Sequence, residues 1–339
     1  MKVVLLHDER AVDGRPDEQD AMVQVETLGA AMRALGHSTL TMGFGLDAAG
    51  VAARLQAEQP DLVINLVESV GGHGRLIHLA PALLDTLRLP YTGAGTEAMF
   101  LSSHKLWTKR LLQSQDILTP AWLDDAGRSG GSPRFPGRYI VKSVWEDASL
   151  GLDDDSVVDA TGLEQLLAAV LERQDRLGGE AFAESWIEGR EFNLALLEEP
   201  TGPRVLPVAE MCFVDYPPDK PRLVGYQAKW AEGSFEYANT VRRFDLPPDD
   251  RALLAAMNAL ALRCWEALDL RGYARVDFRV DAAGAPYVLE VNANPCLSPD
   301  AGFAAAVERA AGMNLEAVVQ KVVDAALRRR VAKAPARQP

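Results

Sequence analysis

Polar residues at alternate positions of otherwise apolar strands constrain this sequence most. The segment Arg275-Val276-Asp277-Phe278 is followed, after residues 279–288, by Leu289-Glu290-Val291-Asn292-Ala293-Asn294-Pro295. Two strands joined by a tight turn at 281–284 would set Arg275 and Asp277 beside Glu290 and Asn292. Side chains at i and i+2 share one face of a strand, so four polar groups converge on one spot. Burying them is costly unless they are paired or bind something. Two carboxylates and an amide oxygen are the hard donors that Mg²⁺ prefers. An arginine beside them can meet developing negative charge through its planar fork. Alone, the pattern fits equally well an Arg–Asp pair and a capping Asn on a solvent-facing hairpin.

A second set of cations decides between these. Lys105 opens a predicted helix, from which its side chain can reach back toward an anion, and Lys142 interrupts the apolar strand Tyr139-Ile140-Val141-Lys142. An ammonium buried in such a strand requires an anionic partner. The following Glu146-Asp147-Ala148-Ser149-Leu150-Gly151 is a small-residue loop whose backbone N–H groups can cover phosphates. Glu184 and Glu191 flank a connection between two strands, where one can face an adenine edge and the other ribose hydroxyls.

Around these residues the chain is organised as α/β and α+β units. Residues 1–100 alternate short apolar runs with helical patterns, the signature of βαβ units feeding a parallel sheet. Strands are predicted at 2–7, 37–43 and 61–67, and helices at 18–35, 47–58 and 76–87, closed by Pro90 and a turn at 91–95. A helix at 104–115, a Gly/Pro/Ser-rich loop at 127–137, a strand at 138–144, a helix at 163–176 and strands at 181–187 and 191–198 follow. Further strands are expected at 204–213, 273–280 and 287–291, with helices at 248–268 and from Gly302 onward. Between Val214 and Arg242 lies a polar and aromatic segment without a clean period, and so long an irregular stretch is usually functional or a lid. The expected division is 1–100, 101–188, 189–330 and a basic tail at 331–339.

Composition serves mainly to exclude. The 48 acidic against 35 basic residues give a net charge of −13, which argues against a nucleic-acid or anionic-membrane surface. Hydrophobic residues make up 48 % of the chain, enough for a large core rather than disorder. No apolar run reaches the roughly 18 residues of a membrane span, and no secretory h-region follows the run at 3–6. Cys212, Cys264 and Cys296 are odd in number and form no CxxC, so no disulfide framework or zinc knot is indicated. A cytoplasmic location is the expectation.

The ordered series Lys105, Lys142 with its loop, Glu184 to Glu191, Lys229, Arg275-x-Asp277 and Glu290-x-Asn292-x-x-Pro295 resembles the ATP-grasp superfamily, and within it the D-alanine–D-alanine ligases. The likeness runs over residues 1–328 and includes Leu89-Pro90-Tyr91-Thr92-Gly93 and Ala310-Ala311-Gly312-Met313. It implies an ATP-grasp fold, with a βαβ domain followed by two α+β lobes that clamp ATP. It implies that Lys105 and Lys142 hold the ATP phosphates under a lid at 145–151 that includes Ser149. Glu184 and the backbone near Ile187 would meet adenine, and Glu191 the ribose. Asp277, Glu290 and Asn292 would bind two Mg²⁺ ions, with Mn²⁺ an alternative, and Arg275 would steady an acyl phosphate and a tetrahedral intermediate. Tyr226-Gln227-Ala228-Lys229-Trp230 resembles a Tyr-Glu-Ala-Lys-Tyr element, which brings Lys229 to the γ-phosphate. Ligases of this family are often homodimers.

The substrate positions depart from the family. Its His-Gly-x-x-Gly-Glu-Asp-Gly element corresponds to Val67-Glu68-Ser69-Val70-Gly71-Gly72-His73-Gly74, without the His or the acidic pair. Residues 8–20 lack the Ser-Ala-Glu-x-Glu element, for which Glu18 is a possible substitute. Pro-Gly-Met-Thr becomes Pro295-Cys296-Leu297-Ser298, Ser-Leu becomes Ala301-Gly302, and a Glu-Lys pair becomes Glu184-Ser185. The expectation is an ATP-dependent carboxylate–amine ligase for another amino-acid or small-molecule pair, with Glu68 facing a substrate ammonium and Cys296 and Ser298 lining the site. Cys296 reads as a small side chain in place of glycine rather than a nucleophile, because no His base is near in sequence. His73, His78 and His104 read as structural, and Trp107, Trp122, Trp145, Trp186 and Trp230 as core or lid packing. A phosphotransferase or cyclising enzyme, and a nucleotide-binding regulator without catalysis, are the two other readings.

Overall fold

The computed structural model describes residues 1–9, 16–310 and 313–333. The N-terminal unit is the expected parallel arrangement: Lys2–Asp8 is the middle strand, with Ser38–Phe44 on one side and Leu62–Asn65 on the other. Val3, Val4, Leu5 and Leu6 are buried in succession, as a strand covered on both faces requires. Helix Ala48–Glu58 begins where the Asp47 carboxylate accepts from Gly50 N at 2.9 Å, a side-chain cap for a free backbone donor. The helix predicted over 76–87 divides into a 3-10 turn at Gly74–Leu76 and a helix at Leu79–Thr86. Pro81 is the reason: lacking an N–H, it fits only the first turn, which fixes the start at Leu79.

The central unit is a five-stranded antiparallel sheet in the order Ser129–Gly130, Trp122–Asp124, Ala181–Ser185, Gly137–Ser143, Val157–Ala160. Helix Leu163–Arg173 packs Leu166 and Val170 onto Leu123, Tyr139, Val141 and Ala183 of that sheet. Helix Lys105–Ser114 follows His104, whose Nδ1 accepts from Trp107 N at 3.2 Å. A preceding helix, Thr96–Ser103, was not expected from the pattern.

The C-terminal sheet runs Thr240–Arg243, Ala209–Phe213, Gly189–Glu199, Tyr273–Asp281, Pro286–Asn292, with Gly202–Val205 also paired to Gly189–Glu199. The single strand expected at 204–213 is therefore two. Pro207 cannot donate to a ladder, and the chain leaves the sheet between Val205 and Ala209. Within 214–242 two short helices form, Tyr226–Trp230 and Phe235–Asn239, before an edge strand. Helix Leu315–Lys333 extends past Arg328 into the positions expected as tail. The tail beyond Lys333, Ala311, Gly312 and the Glu18 side chain lie outside the described residues.

One core cluster draws on both ends of the chain: Val3, Leu5 and Leu28 pack with Leu197, Tyr273, Phe303 and Val319. The first unit is thereby docked on the last lobe, and Asn294, just past the hairpin's second strand, donates to Val67 O in the loop after Leu62–Asn65 at 3.0 Å. Among the described residues no helix is long and apolar enough to cross a membrane.

Candidate active site

The hairpin register meets the sequence expectation. Arg275 pairs across the ladder with Asn292 and Asp277 with Glu290, and a register shift follows Asp277. Arg275 grips Asp277 with two parallel bonds, Nε to Oδ1 and Nη2 to Oδ2, both 2.8 Å, and its guanidinium stands 3.8 Å from Glu290. Asn193, opposite Asp277 on the neighbouring strand, donates to Asp277 Oδ1 at 2.8 Å. Asn292 Oδ1 accepts from Asn294 N at 2.9 Å. Burial, opposed by Arg275, pushes Asp277 above the ordinary carboxylate range. At Glu290 burial is outweighed by Lys105, Arg275, Lys229 and Lys142, which hold it at about 2. Four cations thus face this carboxylate from four separate elements of the chain.

Each cation has a defined seat. Lys105 Nζ donates to Glu146 O and to Asp147 Oδ1, both at 2.8 Å, and against burial Asp147 and Glu290 hold its ammonium above the ordinary lysine range. Lys142 Nζ lies 2.5 Å from Glu184 Oε1, and the other oxygen of Glu184 meets Lys109 Nζ at 2.6 Å. Lys229, on the short helix at Tyr226–Trp230, is pushed below its usual range by burial and Arg275, while Glu290, Asp277 and Glu191 pull it back. The 145–151 loop is fastened to the irregular segment. Ser149 Oγ donates to Val224 O at 2.9 Å, Trp230 Nε1 to Ala148 O at 3.0 Å, and Tyr226 N to Leu152 O at 3.0 Å. Ala148 and Ser149 take φ of 56° and 61°, strain of the kind that surrounding contacts must hold. Glu146 accepts from Gly74 N of the first unit at 3.2 Å.

Glu191 is paired with Arg279, Nε to Oε2 at 3.0 Å. Arg279 also donates to Ile187 O at 3.2 Å and to Arg222 O, and its guanidinium stacks 4.6 Å from the centre of the Trp186 ring. The sequence reading missed Lys109, Asn193 and Arg279. Arg279 extends the Arg275-x-Asp277 alternation by one step and Asn193 is a polar residue in an apolar strand, so both carried a usable signal. Lys109 carried none beyond lying one helical turn from Lys105.

Among the described residues the side chains beside Glu68 are neutral or acidic. Glu68 Oε1 accepts from Gln24 Nε2 at 3.1 Å. Burial and then Asp8 push its carboxyl up to about 8. Asp8 accepts from Glu68 N and Ser69 Oγ, both at 2.7 Å, and is itself raised by burial. Cys296 Sγ and Ser298 Oγ donate to Asp20 Oδ2 at 3.0 and 3.2 Å. Burial, Glu68 and Asp20 push the Cys296 thiol far above its ordinary range, which favours the protonated form. His104 is lowered to about 4, chiefly by burial, and serves as a helix cap.

A family model described as D-ala D-ala ligase C-terminus matches residues 133–324. A D-alanine--D-alanine ligase of Moorella thermoacetica is 31 % identical over 316 residues, covering 88 % of this chain and 92 % of that protein. One of Gloeobacter violaceus is 29 % identical over 329 residues, covering 92 % and 96 %. The fold matches the crystal structure of a D-alanine--D-alanine ligase from Bacillus anthracis complexed with ATP, with a TM-score of 0.71 at 17 % identity over 98 % of this chain and 99 % of that one.

Proposed function

Because the chain belongs to the D-alanine–D-alanine ligase family and has its ATP-grasp fold, we propose that it joins a carboxylate to an amine while converting ATP to ADP and phosphate. The observation that carries this is the cross-strand set Arg275, Asp277, Glu290 and Asn292 facing Lys105, Lys142 and Lys229. A carboxylate does not attack a polyanionic nucleotide unless charge on both partners is cancelled. Lys105 and Lys142 hold the phosphates and Lys229 approaches the γ-phosphate. The Ile187 backbone borders adenine and Glu191 borders the ribose, whereas Glu184, expected at the adenine edge, is buried with a lysine on each carboxylate oxygen and holds Lys142 instead. The donor set fits a hard cation, since the two carboxylates and the amide oxygen stand on adjacent strands. Asp277, Glu290 and Asn292 would hold Mg²⁺, which supplies charge neutralisation at the transferring phosphoryl group.

The substrate carboxylate takes the γ-phosphoryl to give an acyl phosphate. The amine attacks its carbonyl carbon, Arg275 meets the charge that develops on the oxygen, and phosphate leaves. Such an intermediate hydrolyses in water, which gives the joined loops at 145–151 and 214–242 their purpose. A substrate ammonium beside Glu68 would supply the charge that ionises its carboxyl, so this wall suits an amino acid. The loop Cys296-Leu297-Ser298 is tied to Asp20, and its departure from the family's Pro-Gly-Met-Thr is the ground for proposing a substrate pair other than two D-alanines. ADP release with Mg²⁺ across pooled amino acids, with the product identified by mass, tests the reading. No release across the whole panel counts against it, and a phosphorylated or cyclised product replaces the ligase reading with a phosphotransferase or cyclase.

A further inference from the structure

The buried charges around Glu184 form an unequal group. Lys109 and Glu184 each leave 1 % of their side chains exposed, while Lys142 leaves 14 %. Glu184 has one ammonium on each carboxylate oxygen, at 2.6 and 2.5 Å. Lys109 gives a further hydrogen bond to Thr119 Oγ1 at 2.8 Å. The strand register explains the meeting: Glu184 pairs with Ile140, two positions before Lys142 on the same face, and Lys109 points in from the buried side of helix Lys105–Ser114.

Two cations and one anion leave a net positive charge, and only Lys142 has access to the cleft. Without Lys109, Glu184 would face Lys142 alone, and the pair would present nearly no field to an anion. A buried carboxylate oxygen would also lose its partner. We propose that Lys109 is a positioning residue, which holds the Glu184 carboxylate so that Lys142 keeps its positive charge available to the nucleotide phosphates. It touches no substrate itself. The inference rests on the nucleotide reading above and adds a residue to it.

ATP binding by calorimetry and ADP release by the full chain, with Mg²⁺ present, test it in wild type, Lys109→Met, Lys109→Arg and Lys109→Met with Glu184→Gln. Lys109→Met is expected to raise Kd and KM for ATP by about tenfold, with a smaller change in kcat. Lys109→Arg keeps the charge and should stay within about threefold of wild type. The double variant removes the anion that would otherwise neutralise Lys142, and should regain several-fold of the affinity lost in Lys109→Met. A helix anchor without an electrostatic role would show no such recovery. Unchanged ATP affinity in folded Lys109→Met, or a double variant as weak as the single one, overturns the inference. If Lys109→Met does not fold, the double and Lys109→Arg variants decide, and a tenfold loss in both overturns it. Absence of ATP binding by wild type overturns the nucleotide reading, and this inference with it.

Discussion

Two walls of one cleft solve opposite electrostatic problems. Around the Arg275 hairpin the carboxylates of the site face cations. Asp277 is gripped by Arg275, Glu184 by two lysines, and Glu191 by Arg279. Beside Glu68 the carboxylates of Asp8 and Asp20 raise its demand for protons, and the nearest partners among the described residues are neutral: Gln24, Ser69, Cys296 and Ser298. The first wall is prepared for a polyanion with its counterions and the second for a ligand that brings positive charge. Net charge over the chain, −13, distinguishes neither.

The difference is broken most severely on the hairpin side. Asp277→Asn keeps the shape and removes a charge where several kcal/mol of transition-state stabilisation is expected, so ADP release should fall by about 10³-fold. Circular dichroism should show the fold unchanged, because Asn193 and Arg275 retain an oxygen to contact. Full ADP release by this variant would remove Asp277 from the site. The Lys109→Met effect, at about tenfold in ATP affinity, is next in size and stays on the same wall.

Glu68→Gln tests the other wall. With its carboxyl raised to about 8 in the folded chain against about 4.3 in an unfolded one, Glu68 binds a proton on folding. Stability therefore declines as pH rises from about 4.3 to about 8 and levels off beyond. Glutamine carries no charge to desolvate, so the variant should lose this decline and melt higher than wild type at pH 8, by a few degrees, while matching it near pH 4. Its KM for the amine-bearing substrate should rise about tenfold or more, because the ammonium has lost its counter-charge. Parallel pH profiles for the two proteins, or an unchanged KM, would detach Glu68 from the amine.

The two walls were also unequally legible from sequence. Lys142 stands out because a cation inside an apolar strand must have a partner, Arg275, Asp277, Glu290 and Asn292 because strand alternation fixes the face they share, Lys105 from its place at a helix start, and Lys229 only through the family resemblance. Lys109 escaped notice because its helix carries polar residues on several sides. Its burial depends on docking against Trp122 and Phe182, with which the neighbouring Leu106 packs, a contact of long sequence separation. The split of the strand expected at 204–213 was written in Pro207, and the start of helix Leu79–Thr86 in Pro81. Around Glu68 the surroundings are assembled from single residues of a strand end, a helix and two loops, Asp8, Asp20, Glu68 and Cys296, and no local period announces such a set.

Cys296→Ala should produce the smallest effect. The thiol is held protonated by burial and by Glu68 and Asp20, and a protonated thiol is a poor nucleophile. Its bond to Asp20 is shared by Ser298 Oγ at 3.2 Å, so removing sulfur does not leave that carboxylate without a donor. Losing one weak thiol donor to a carboxylate that keeps another costs about 1 kcal/mol, and turnover should stay within about threefold of wild type. Steady-state ADP release and alkylation by iodoacetamide at neutral pH measure the two sides of this claim. Rapid alkylation coupled to loss of activity, or a hundredfold drop in Cys296→Ala, would mean that sulfur reacts in the cleft. The acidic wall would then have to supply the base that activates it.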